Sequence, residues 1–71
     1  MHRYQLRVVV KSGKNAPSWL MPLGSNVYGD NIWASSTSEA IEHANNLGPF
    51  PYAERVAIDF RGNVTEIYRS K

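Results

Sequence analysis

Apolar and polar side chains alternate along residues 3–11, which read RYQLRVVVK. The apolar members of this series share one face of an extended chain: Tyr4, Leu6, Val8 and Val10. Alternation of period two, rich in β-branched residues, is typical of a strand with one buried face. The chain must therefore form a sheet with one buried face, and other segments must pack against that face.

Apolar packing alone has to hold this sheet together. The chain has 71 residues and no cysteine, which excludes disulfides and cysteine-based zinc sites. A domain of this length buries only about 60% of the surface that its unfolded chain exposes. Hydrophobic residues make up 42% of the sequence, which is an ordinary value for a globular protein. We therefore expect residues 1–71 to form a single domain.

A helix is predicted to begin near residue 36. Ser36 and Glu39 form a capping-box pattern, although Thr37 could take the cap instead. Gly48-Pro49 supplies a C-terminal glycine and blocks continuation of the helix. A helix of about eleven residues is marginal alone, so it must pack on the sheet. Its apolar stripe consists of Ala40, Ile41, Ala44 and Leu47. After it, Phe50-Pro51-Tyr52 is expected to tuck an aromatic ring under the helix end.

The segment between the first strand and the helix has a weaker pattern. Residues 18–23 (SWLMPL) indicate an extended segment at a sheet edge, because Pro22 cannot donate to a ladder. Residues 24–31 (GSNVYGDN) indicate a loop or a wide hairpin. Residues 32–36 could return as a short strand.

The last third of the chain predicts a β-hairpin around Gly62, with two competing registers. A two-residue loop at Gly62-Asn63 would place Asp59 opposite Glu66, and such like-charge pairs are destabilising. A turn on residues 59–61 with Gly62 left-handed would instead pair Ile58 with Val64 and leave Asp59 to cap the turn. We favour the second register.

These elements predict an α+β fold. The expected architecture is a small antiparallel sheet of three to four strands with one helix packed on one face. The expected order is strand, strand, helix, strand, strand.

The residue types that carry catalysis or bind metals are sparse. His43 has only Glu39 at helical spacing, and His2 lies at the N-terminus, so no metal site is expected. Asp59 and Glu66 could form an acid–base pair, but we interpret them as a turn cap and a surface residue. The serines lie in loops and at the helix cap, without a nucleophile motif. We expect neither an enzyme nor a bound cofactor.

Net charge and hydropathy limit the partners and the cellular location that we expect for the protein. The formal net charge is +2, which permits nucleic acid or acidic proteins as partners without indicating a dedicated DNA-binding protein. The longest aliphatic run, residues 8–10, is too short for a membrane span or a signal sequence. We expect a cytoplasmic protein that does not interact with membranes.

Both tryptophans bracket the stretch WLMPLGSNVYGDNIW, whose only charged residue is Asp30. Trp, Tyr and Met are enriched at interface hot spots. We predict that Trp33, just before the helix cap, is buried beneath the helix. The burial of Trp19 remains open from the sequence. The candidate contacts in this stretch are Trp19, Met21 and Tyr28.

Basic residues of the sheet complete the candidate surface. Arg3, Arg7 and Lys11 alternate away from the apolar face of the first strand, and Arg61 lies in the terminal hairpin. We therefore expect a protein-binding module that regulates or inhibits a larger macromolecular machine by occupying its surface. Small phage proteins that act on host machinery are similar in size and type, without any residue match.

Two other functions compete with this one. The first is a nucleic-acid-binding domain, in which basic residues on the outer sheet face pair with phosphates and Tyr68 or Phe60 stacks on bases. The second is a structural domain that forms homodimers or larger assemblies through an edge strand.

Overall fold

The computed structural model describes residues 1–70. It contains one antiparallel sheet and one helix, so the α+β class and the helix on one face are confirmed. Five strands form the sheet rather than three to four, in the spatial order β2-β3-β1-β4-β5. The elements in chain order are β1 (His2–Val10), β2 (Met21–Gly24), β3 (Val27–Ala34), α1 (Thr37–Leu47), β4 (Ala53–Phe60) and β5 (Asn63–Arg69).

The additional strand is β3, which covers most of the segment interpreted above as a loop. Asn26 makes the turn from β2 with a φ of 60°, and Val27 starts a strand that pairs with β1 over its whole length. Gly29 lies inside this strand because two neighbours leave no room for a side chain. A Cβ there would lie 2.6 Å from the Leu6 carbonyl oxygen and 2.5 Å from Leu23 Cδ1.

The core lies between α1 and the face of the sheet that carries the apolar side chains of β1. Ala40 and Ala44 are fully buried, and their small side chains let the helix approach the sheet closely. Leu47, also predicted in the apolar stripe, is 40% exposed at the helix end. The largest fully buried side chains of the core are Leu6, Val8, Val56 and Ile58.

The helix begins and ends where the sequence predicts, but only its N-terminal end has the expected cap geometry. The Ser36 hydroxyl accepts a hydrogen bond from the Glu39 backbone N–H at 3.2 Å, so Ser36 and not Thr37 is the N-cap. Gly48 follows the last helical residue, but its backbone is extended rather than left-handed. The Phe50 ring is buried against the helix end, as expected.

The terminal hairpin adopts a register that matches neither of the two considered. Phe60 pairs with Asn63 and Ile58 with Thr65, so Arg61 and Gly62 form a two-residue turn. Both turn residues have positive φ, 51° and 87°. Two-residue type I′ turns require this conformation, because it matches the twist of the flanking strands. The expected cap does form, because an Asp59 carboxylate oxygen accepts a hydrogen bond from the Gly62 N–H.

The prediction that Trp33 is buried beneath the helix is wrong. Ile32 and Ala34 both face the helix and are buried. Because side chains alternate along a strand, Trp33 between them must point to the opposite face. Its side chain is 56% exposed there.

Candidate functional site

The sheet face opposite α1 is not covered by any other element within residues 1–70, and we call it the open face. Arg3, Gln5, Arg7 and Val9 of β1 project from it, since their neighbours in β1 pack towards the helix. The β-ladder register places the corresponding residues of the other strands on the same face. They are Met21, Leu23, Val27, Gly29, Asn31, Trp33, Arg55, Ala57, Asp59, Val64, Glu66 and Arg69.

One side of the open face is apolar and exposed. Met21 lies opposite Gly29 and is 64% exposed, and Leu23 lies over the bare backbone of Gly29. These residues line a depression of about 210 Å³, whose complete lining is Arg3, Gln5, Met21, Leu23, Gly29, Asp30 and Asn31. An incoming side chain could therefore contact Met21, Leu23 and the backbone of β3 at once.

The other side of the open face is charged and internally paired. Arg7 Nη2 lies 3.2 Å from Asp59 Oδ2. Glu66 Oε1 contacts both Arg55 Nε at 3.1 Å and Arg69 Nη2 at 2.7 Å. Within residues 1–70, Arg3 is the one arginine of the open face without an ion pair to a carboxylate. It therefore has the greatest freedom to bind an external anion.

The arginine contacts make Glu66 a source of pH dependence. The hydrogen bond from Arg69 is the largest effect that holds the pKa of Glu66 below its usual value of 4.5; desolvation opposes it, and attraction to Arg69 and Arg55 adds to the lowering. A lowered pKa stabilises the fold above the usual glutamate range, and this contribution is lost as the pH falls through the lowered value.

Glu66→Gln should therefore reduce the loss of stability on acidification. We expect the melting temperature of the wild type to fall more between pH 7 and pH 3 than that of the variant, by a modest amount because these side chains are exposed. Thermal unfolding followed by circular dichroism at both pH values measures this difference. Equal falls for the two proteins would contradict the prediction.

Of the residues proposed as partner contacts, three come together on the open face. Arg3 and Met21 line the same depression, and Arg7 lies directly across β3 from Met21, with Gly29 between them. Tyr28 pairs with Val8 and packs half-buried on the helix side, so it does not belong to this surface.

The remaining three predicted contacts lie outside the open face. Trp19 is 41% exposed and precedes β2 in the connection from β1. Lys11 follows the end of β1, where its N–H donates to the Tyr52 carbonyl oxygen. Arg61 is at the β4–β5 turn, with its guanidinium 5.0 Å from the centroid of the Phe60 ring. Lys11 and Arg61 thus lie near opposite ends of the sheet.

Sequence reasoning missed three exposed residues of the open face: Leu23, Trp33 and Val64. The signal for Trp33 was present, because Ile32, Trp33 and Ala34 alternate if β3 is extended to residue 34. The signal for Val64 depended on the hairpin register, which the sequence left open. The signal for Leu23 was also present, because it lies two residues after Met21 and therefore shares its face in an extended segment.

The groups considered for catalysis and metal binding are engaged elsewhere or isolated. Asp59 contacts Arg7, and Glu66 contacts Arg55 and Arg69, so these two carboxylates do not form an acid–base pair. His43 Nε2 lies 3.7 Å from Glu39 Oε1. Over residues 1–70, no three His, Asp or Glu side chains cluster closely enough to hold a metal ion.

Comparisons with known proteins and hydropathy add two findings. No protein-family model, curated protein or solved structure matches this chain. In the described part of the chain, α1 is too short and too polar to cross a membrane, and it is the one helix present.

Proposed function

We propose that this chain is a non-enzymatic protein-binding module, which regulates or inhibits a larger complex by covering part of its surface with the open face. The observation that carries the proposal is the exposure of four large apolar side chains on this one face: Met21, Leu23, Trp33 and Val64. Within residues 1–70, these are four of the eight exposed large hydrophobic side chains, and exposed apolar surface on an uncovered face is typical of interaction sites.

The dimensions of the open face suit a small interface. Five strands about 4.8 Å apart, of which β2 has four residues and the others seven to nine, give a surface of roughly 20 by 23 Å before side chains are counted. Trp33 and Met21 belong to the residue types enriched at the centre of interfaces, and Arg3 and Arg7 fit a partner surface that carries carboxylates.

The charge arrangement favours protein over nucleic acid as the partner. Three of the four arginines on the open face contact a carboxylate, Arg7 that of Asp59 and Arg55 and Arg69 that of Glu66, so phosphates would have to compete with these contacts. Phe60, one of the proposed stacking residues, lies on the helix side with its ring 4.4 Å from that of Tyr4. Nucleic acid remains the second candidate, because Arg3 and Trp33 are cross-strand neighbours on the open face. Binding of single strands that weakens steeply with salt would favour it.

Met21→Asp should abolish partner binding and leave the fold intact, because the side chain is exposed and a carboxylate would meet an apolar partner surface. Affinity capture from an extract of the native host, with mass spectrometry of the bound proteins, measures this effect. Ser38→Asp adds the same charge to the exposed first turn of α1, away from the open face, and should retain the partner at wild-type level. Equal recovery with both variants would contradict the proposal.

A further inference from the structure

Half of β3 is an unpaired sheet edge. The strand β2 begins at Met21, opposite Gly29, and no described strand lies beyond it along β3. Before that point, Leu20 N–H donates to the Pro17 carbonyl oxygen at 3.2 Å, in a turn that precedes β2. Residues 31–34 of β3 therefore have β1 on one side and no strand on the other.

The ladder geometry shows which backbone groups point away from the sheet. Val10 N–H donates to the Asn26 carbonyl oxygen at 2.8 Å, in the same register as the β1–β3 pairs. Hydrogen-bonded pairs alternate in an antiparallel ladder, so Ile32 and Ala34 direct their backbone groups towards β1. Asn31 and Trp33 direct theirs towards the open edge. The Asp30 carboxylate accepts from the Asn31 N–H at 2.9 Å, which leaves the Asn31 carbonyl and both backbone groups of Trp33 to pair with a new strand.

A groove runs along this edge, and α1 forms its second wall. The groove has a volume of about 510 Å³, and its apolar lining residues are Ile32, Trp33 and Leu47. A strand added to the edge would place the side chain opposite Ile32 in the groove and the two flanking side chains on the other face, one of them beside Trp33. The complete lining is Asp30, Asn31, Ile32, Trp33, His43, Asn46 and Leu47.

The charges around the groove indicate what such a strand should carry. Asp30 lies at one end of the groove. Glu39 and Glu42 lie one helical turn before the groove residues His43 and Asn46, on the same flank of α1. No lysine or arginine occurs in α1. The groove therefore favours cationic side chains and disfavours a free C-terminal carboxylate.

We infer that the edge of β3 binds an extended internal segment of a partner protein by β-strand addition, with an aliphatic side chain in the groove and a lysine or arginine two residues to either side of it. The main-chain hydrogen bonds of Asn31 and Trp33 supply the pairing, and the carboxylates select the basic flanks. This site adjoins the open face and shares Asn31 and Trp33 with it, but it uses their backbone groups and the helix-side groove, so either site can exist without the other.

The test uses an acetylated and amidated peptide, Lys-Thr-Leu-Thr-Lys, titrated into the isotopically labelled protein and followed by nuclear magnetic resonance. The amide signals of Asn31, Trp33 and Leu47 should shift in a saturable manner. The peptide with glutamate in place of lysine, and the lysine peptide with methylated backbone nitrogens, should each bind at least tenfold more weakly. Leu47→Lys should reduce binding at least tenfold, whereas Val64→Lys, the same charge on the far side of the open face, should leave it within twofold.

Three results would overturn the inference. Equal binding of the lysine and glutamate peptides would contradict the selection of basic residues by the carboxylates. Undiminished binding of the methylated peptide would contradict backbone pairing with β3. The same amide shifts on raising the protein concentration without peptide would assign the edge to a second copy of the chain.

Discussion

Gly29→Ala should lower the free energy of unfolding by about 1–3 kcal/mol, the usual cost of forcing extra volume into a packed site. The side chain of Leu23 can move away from the added methyl group. The Leu6 carbonyl oxygen, 2.6 Å away, cannot move without displacing the central strand β1. The expected result is a lower urea midpoint with an unchanged dependence on denaturant.

Gly24→Ala is the matched control for this substitution. Gly24 also lies in the β2–β3 hairpin, but a methyl group there would meet no atom within 4 Å, and its φ is not in the left-handed region. The variant should keep its stability or gain about 0.4–1 kcal/mol, because alanine restricts the unfolded chain. Equal midpoints for the Gly29 and Gly24 variants would show that the close approach at Gly29 is not rigid.

Leu6→Ala should cost about 2–5 kcal/mol, because it removes a large side chain from a site that cannot collapse. Leu6 is fully buried, with Ile58 beside it in β4 and α1 above the sheet. In a domain this small, such a loss is a large part of the total stability.

Trp33→Ala is the matched comparison for Leu6→Ala. It removes more atoms than Leu6→Ala, but the Trp33 side chain is 56% exposed, so we expect a loss of less than about 1 kcal/mol. Urea unfolding of both variants measures the difference. If Trp33→Ala cost as much as Leu6→Ala, the ring would be core material, as the sequence alone suggested.

The sequence predicts the elements whose signals are local. The alternation in residues 3–11 predicts β1, and the cap at Ser36 with the Gly48-Pro49 stop predicts α1. These predictions are correct because strand periodicity and helix capping depend on residues that are close together in the sequence.

The errors fall where tertiary contacts override local preference. Gly29, Asp30 and Asn31 are turn-forming residues, but they lie inside β3. Gly29 is there because Leu6 and Leu23 occupy the space of a side chain. The hairpin register was missed because a two-residue turn at Arg61-Gly62 requires positive φ at an arginine, which local preference disfavours.

The candidate surface was predictable only for residues whose position follows from a local pattern. Arg3 and Arg7 follow from the alternation of β1, and Met21 follows from the edge position that Pro22 marks. Tyr28 was misplaced and Trp33 was assigned to the core because both depend on the existence and phase of β3. A one-residue difference in phase exchanges the two faces of a strand.

The central claim is that the open face binds a protein, and site-specific photo-crosslinking tests it most directly. A photoreactive phenylalanine derivative at position 21 is placed on the open face, and the same derivative at position 38 is placed on the exposed helix. In an extract of the native host, we predict one discrete adduct with a larger protein from position 21 and none from position 38. No adduct from position 21, or the same adducts from both positions, would contradict the claim.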